Sequence, residues 1–105
     1  MHFDSDNAYR QLSVKGRVAT LRKGKVGERA KLTNVNVRIF RHGKDTGLRA
    51  NILLIRHIEF DCDDSVLENY LPISGFSSIK QWKDEAIKLS GKQMIWRLYV
   101  VILIS

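Results

Sequence analysis

The chain has 105 residues but only one cysteine, Cys62, and one proline, Pro72. A single thiol excludes an intramolecular disulfide framework. One proline and seven glycines exclude a collagen-like repeat and a Pro/Gly-rich linker. The longest apolar run, residues 98–104, has 7 members. That is far short of the roughly 20 a membrane helix needs, and it suits a buried strand. Residues 1–6 lack a basic and an apolar stretch, so no signal peptide is expected. With 44% apolar and 28% charged residues, the composition is that of a folded protein. The expectation is one domain over residues 1–105, soluble and cytoplasmic, with no membrane partner and the monomer as its default state.

Acidic residues are also scarce in one half. Residues 1–52 hold 12 basic and 4 acidic side chains, whereas residues 53–105 hold 6 and 7, for a net charge of +7. The excess is densest from residue 15 to 31, where Lys15, Arg17, Arg22, Lys23, Lys25, Arg29 and Lys31 meet only Glu28. A localised positive field suits a polyanion or a phosphate-bearing ligand. The alternative is a solvated face that keeps the protein soluble.

Periodicity divides the chain. Residues 4–15 read as a helix capped by Asp4, Ser5 or Asp6, buried along Ala8, Leu12 and Phe3, and stopped by Gly16. Residues 17–22 alternate as a strand, and residues 23–27 form a turn. Residues 29–40 are strand material with a bend near Asn34, residues 41–47 a polar hairpin turn, and residues 48–60 a long strand. The block Ile52-Leu53-Leu54-Ile55 implies burial on both faces or a bent barrel strand. Asp61, Asp63 and Asp64 open a short helix over 65–70, where capping explains them more simply than a metal does. Ser78 with Gln81 predicts a capping box ahead of a helix striped by Ile79, Trp82, Ala86 and Leu89 and ended by Gly91. Residues 94–104 form a final strand, placed mid-sheet by its hydrophobicity. This order predicts an α+β fold: a mostly antiparallel, partly closed barrel of five or six strands with helices at its side.

Four segments, in their order and spacing, carry a family likeness over about residues 12–103. They are Gly16-Arg17-Val18-Ala19-Thr20-Leu21-Arg22, Val26-Gly27-Glu28, Gly75-Phe76-Ser77-Ser78 before a helix with Trp82, and a last strand with Tyr99-Val100-Val101. Together they resemble the ASCH domain of the PUA-like superfamily of small β-barrels. The resemblance implies a cleft between the Gly/Thr/Arg segment and the segment before the long helix. It also implies binding of RNA or nucleoside-like ligands, with links to RNA metabolism and translation. Some relatives are hydrolases of acylated cytidine or of RNA. In the amide-cleaving kind, a Lys, the Thr of T-x-R and a Glu just before G-F do the work. Here only Thr20 matches; Val18 stands nearest the lysine position and Ser74 where the acid would be. Arg17 cannot act as the base, because a guanidinium stays protonated.

The expected ligand or RNA contacts are therefore Lys15, Gly16, Arg17, Thr20, Arg22, Lys23, Lys25 and Ser74. Thr20 and Arg22 would share one strand face, with Gly16 serving the backbone. Lys15 is a further candidate for the missing lysine's place. Thr20 is the one catalytic candidate, and no metal or cofactor is called for. Cys62 and His57 do not form a catalytic pair by spacing, and His2, His42 and His57 lack zinc-like spacing. Trp82, Trp96, Tyr99 and Phe76 read as core; Tyr9 and Phe40 lie nearest the charge that base stacking needs. The leading expectation is an RNA- or nucleotide-binding module. A small amidohydrolase or ribonuclease is the alternative, and a module docking an acidic protein the third.

Overall fold

The computed structural model describes residues 1–23, 35–61 and 63–104. In chain order these form α1 (Asp6–Lys15), β1 (Arg17–Lys23), β2 (Val35–Arg41), β3 (Lys44–Glu59), α2 (Asp64–Tyr70), a 3₁₀ turn (Leu71–Ile73), α3 (Ile79–Ser90) and β4 (Ile95–Leu103). The strands make one antiparallel sheet in the order β1-β4-β3-β2, a half-barrel. The α+β class and the antiparallel sheet match expectation, while the strand count among the described residues is four, not five or six. Of the expected turn over 23–27, Lys23 belongs to β1, and the rest lies outside the described residues, as do the bend near Asn34, Lys25 and Cys62.

β4 takes the middle of the sheet because six consecutive residues, Trp96 to Val101, are buried, and only a strand covered on both faces can accommodate that. One face packs Val18, Ile52, Tyr99 and Val101 against Phe3 and against Ala8 and Leu12 of α1. The other packs Ala19, Leu21, Trp96 and Leu98 against Leu67 of α2 and Trp82 of α3. Helix starts follow the sequence. The Ser5 hydroxyl accepts from the Ala8 amide, and the Ser78 hydroxyl from the Gln81 amide. The reciprocal half of the α3 box differs from expectation: the Gln81 side chain accepts from the Ser77 amide and hydroxyl. Asp63 holds the N-cap position of α2, yet its carboxylate accepts from the Glu59 amide and joins the helix start to β3.

Two departures in the strands have local causes. The β2–β3 turn is only His42-Gly43, with Arg41 opposite Lys44, so residues 44–47 belong to β3 rather than to a long polar turn. Both turn residues have positive φ, the signature of the tight two-residue turn whose twist matches that of the strands. Its position is fixed from outside: the His42 amide donates to Asp4 Oδ1 at 2.8 Å, and Arg41 pairs with Asp6 while lying over the Tyr9 ring. In β3 the register shifts between Leu54 and Arg56. The run 52–55 is thus a bent strand, with Ile52 buried and Ile55 exposed.

The N-terminal residues complete the half-barrel. The Phe3 amide donates to the Phe40 carbonyl and the Phe40 amide to the Met1 carbonyl, which lays His2 beside β2 as a short parallel bridge. This occupies an edge of β2 that would otherwise offer open amides and carbonyls.

Gly75 marks a close approach between α1 and the segment leading into α3. A Cβ there would stand 2.4 Å from the Asn7 carbonyl oxygen, and φ is +88°. Gly75→Ala is therefore expected to destabilise the fold by about 2–4 kcal/mol, from left-handed strain plus overpacking. Urea denaturation measures this directly. A loss below about 0.5 kcal/mol would mean that the two segments part without penalty.

Candidate functional site

A cleft opens along β1, against which both α1 and α3 pack. Thr20, Leu21 and Arg22 form one wall, and Phe3, Asp4, Ser5 and Ala8 a second. The third comes from Phe76 and from Trp82, Glu85, Ala86 and Leu89 of α3. The enclosed part is about 60 Å³, room for a few waters or one small polar group. It adjoins a larger polar hollow of about 330 Å³ that shares Asp4, Ser5, Phe76, Glu85 and Leu89 and adds Asp6, Asn7 and Lys88.

Thr20 and Arg22 alternate on the α1 side of β1, so the expectation that they share a face holds. Thr20 is buried opposite Tyr99, and Arg22 stands opposite Arg97, itself opposite His57. The Arg22 guanidinium lies 4.6 Å from the centre of the Phe3 ring, a cation–π contact made inside the protein. Burial is the largest influence on it and pushes its pKa down to about 10, against the attraction of Asp4 and Tyr99. The group remains charged at neutral pH. Its Nε is buried with no hydrogen-bond partner among the described residues. A desolvated cation with an open donor is costly, and an anion accepting from it removes that cost.

The other expected contacts are spread over the molecule. Lys15 is exposed at the end of α1 and lines a separate hollow with Asn7, Arg10, Gln11, Val14 and Gly75. Gly16 caps α1, and its carbonyl accepts from the Leu103 amide. Arg17 and Lys23 are exposed at the two ends of β1. Ser74 is fully buried: its hydroxyl donates to the Leu71 carbonyl and accepts from the Phe76 amide, which locks the turn ahead of α3. It lines none of the cleft walls described above. Trp82, Trp96 and Tyr99 are core, as expected, and Phe76 is half-buried. Tyr9 and Phe40 are both engaged, Tyr9 under Arg41 and Phe40 stacked on His2 at 5.2 Å.

Sequence reasoning missed Phe3 as the floor beneath Arg22, because that contact joins distant segments. It also missed Glu85, for which a signal existed. Glu85 falls three residues after Trp82 and beside Ala86, a carboxylate set against the apolar stripe of a helix. No family model, curated protein or solved structure matches this chain.

Replacing a buried charged group by an apolar one of similar length is often neutral or stabilising. Arg22→Met should accordingly leave stability unchanged or raise it by up to about 2 kcal/mol in urea denaturation. A loss above about 2 kcal/mol would instead make Arg22 a structural clamp between β1, Phe3 and Asp4.

Proposed function

We propose that this protein is a binding module for RNA or a nucleotide-like ligand, acting in the cytoplasm in RNA metabolism or translation, with a phosphate taken at the Thr20/Arg22 cleft. One observation carries the reading: a buried guanidinium with an unpaired Nε lines the cleft beside the Thr20 hydroxyl. A phosphate satisfies both, accepting from Arg22 by a charge-assisted bond and from the Thr20 hydroxyl. The enclosed volume suits that single group and lies well below the roughly 300 Å³ at which pockets for whole small molecules begin. A base and sugar would then rest in the adjoining polar hollow. The resemblance to the ASCH domain, and through it to the PUA-like superfamily, supports the same assignment. The likeness includes a cleft between the Gly16–Arg22 stretch and the segment before α3.

A second reading, hydrolysis of a modified nucleoside or of RNA, gains support from Glu85. It sets a carboxylate in the cleft with Thr20, although the acid expected next to Gly75 is replaced by Ser74. Thr20 Oγ1 has no hydrogen bond to a base among the described residues, and an unassisted threonine is a weak nucleophile at neutral pH. Binding is the stronger reading.

Calorimetric titration with uridine 5′-monophosphate and with uridine tests it. The monophosphate should bind the wild type and the bare nucleoside at least tenfold more weakly. Arg22→Lys should lose about 1.5–3 kcal/mol, because the fork that meets phosphate oxygens is gone. Thr20→Val should lose about 1 kcal/mol. Equal affinity of wild type and Arg22→Lys for the monophosphate overturns the proposal. Conversion of the ligand during titration, abolished by Glu85→Gln, moves the assignment to the hydrolytic reading.

A further inference from the structure

Among the described residues, the sheet face that carries α2 and α3 is covered over only part of its area. Strand alternation sets the uncovered part by register. One row runs Arg17–Ile102–Asn51–Asn36 across β1, β4, β3 and β2, and all four residues are exposed. A second row sets Arg49 directly opposite Arg38, with Ile104 joined through its amide to the Arg49 carbonyl; these three are exposed as well. Their sequence neighbours Val18, Val37, Ala50 and Val101 point into the core on the α1 side, so the seven exposed side chains share the opposite face.

The chemistry of this face is specific. Its charged members are three arginines, and its other members are two asparagines and two isoleucines. The acid beside it, Asp45, stands 3.6 Å from Arg38 in an exposed pair, which is worth little. Like charges directly opposed across two strands destabilise the sheet, and Asp45 faces only Arg38 of the Arg38/Arg49 pair. A hollow of about 140 Å³ lies between these two arginines, lined also by Asp45, Gly47 and Leu48. An anion seated there relieves the repulsion of both.

We propose that this open sheet face is the surface that takes a strand of single-stranded RNA. Arg17, Arg38 and Arg49 hold backbone phosphates, Asn36 and Asn51 meet base edges, and Ile102 supports a base by apolar contact. The inference rests on the RNA-binding reading above but names a different surface, on the opposite side of the sheet from Thr20 and Arg22. Charge complementarity selects the occupant. A second copy of the chain would set three arginines against three arginines with no acid of the rows between them. The row Arg17–Ile102–Asn51–Asn36 also crosses all four strands, as an extended ligand crossing the sheet requires. Asparagine amides present a donor and an acceptor together, which a base edge uses and a run of carboxylates does not.

The test is fluorescence anisotropy with a labelled oligouridylate of about twelve nucleotides, at about 50 and 200 mM salt. Wild type is compared with Arg17→Gln/Arg38→Gln/Arg49→Gln, with Asn36→Ala/Asn51→Ala and with Arg22→Met. These arginines and asparagines are exposed, so the variants should fold, and thermal unfolding of each provides the control. The triple arginine variant should bind at least tenfold more weakly at the lower salt, with its salt slope flattened by about two units. The asparagine variant should bind more weakly with an unchanged slope, and Arg22→Met, which removes one cleft contact, should weaken binding yet keep a salt slope about one unit steeper than that of the triple variant. Wild-type binding by the triple variant overturns the sheet-face assignment. If Arg22→Met alone abolishes binding, the cleft reading stands and this one falls; no binding by wild type removes the RNA claim for both surfaces. Equal binding of a labelled oligoglutamate, with the same dependence on the three arginines, would assign the face to an acidic protein instead. A concentration-dependent dimer in sedimentation that Ile102→Lys dissolves would assign it to self-association.

Discussion

Everything in this fold follows from the need to cover β4 on both sides. A strand with six consecutive buried residues cannot sit at an edge or face water on one side, so it takes the middle of the sheet and requires a layer of structure above and below it. α1 and Phe3 supply one layer, and α2, the 3₁₀ turn and α3 the other. The two layers meet at β1, where Gly75 lets the segment before α3 press against α1. The cleft is the space left at that junction.

The same constraint explains what remains uncovered. Helix is available for one face of the sheet and for only part of the other, so the rows through Arg17, Asn51 and Arg49 face solvent. Residues left in that position must be compatible with water or with a partner. The wall of the cleft obeys the opposite rule. Arg22 is drawn out of water by its place beside Phe3 and keeps a donor unpaired, a cost that a passive surface charge does not incur. One chain thus displays its positive charge in two ways, desolvated at Arg22 on one side of the sheet, solvated and arrayed on the other.

Much of this was legible in the residues because the signals were local. Ser5 and Ser78 cap their helices, Gly16 and Gly91 end them, and the 98–104 run marks a central strand. Thr20 and Arg22 were placed together because strand alternation is a local rule. What escaped depends on contacts between distant segments. The Phe3 ring under Arg22, the Asp4 carboxylate at the His42 turn and the Asp63 carboxylate at Glu59 are products of packing, with no spacing in the chain that announces them. Ser74 shows the converse. A residue singled out by its position next to Gly75 turns out to lock a turn, its hydroxyl consumed by Leu71 and Phe76. Arg38 and Arg49 were legible only as charges, since the register shift between Arg38 and Phe40 decides which residues they oppose.

Backbone amide chemical-shift mapping on isotope-labelled protein tests most directly the central claim, that two surfaces on opposite sides of one sheet bind separate parts of a nucleic acid. Uridine 5′-monophosphate should shift amides around Asp4, Thr20, Arg22 and Glu85 and leave the rows through Asn36 and Asn51 still. An oligouridylate should shift Arg17, Asn36, Arg49, Asn51 and Ile102 in addition. If both ligands shift the same amides, or if the oligomer moves only scattered basic residues in proportion to salt, the two-surface account is wrong.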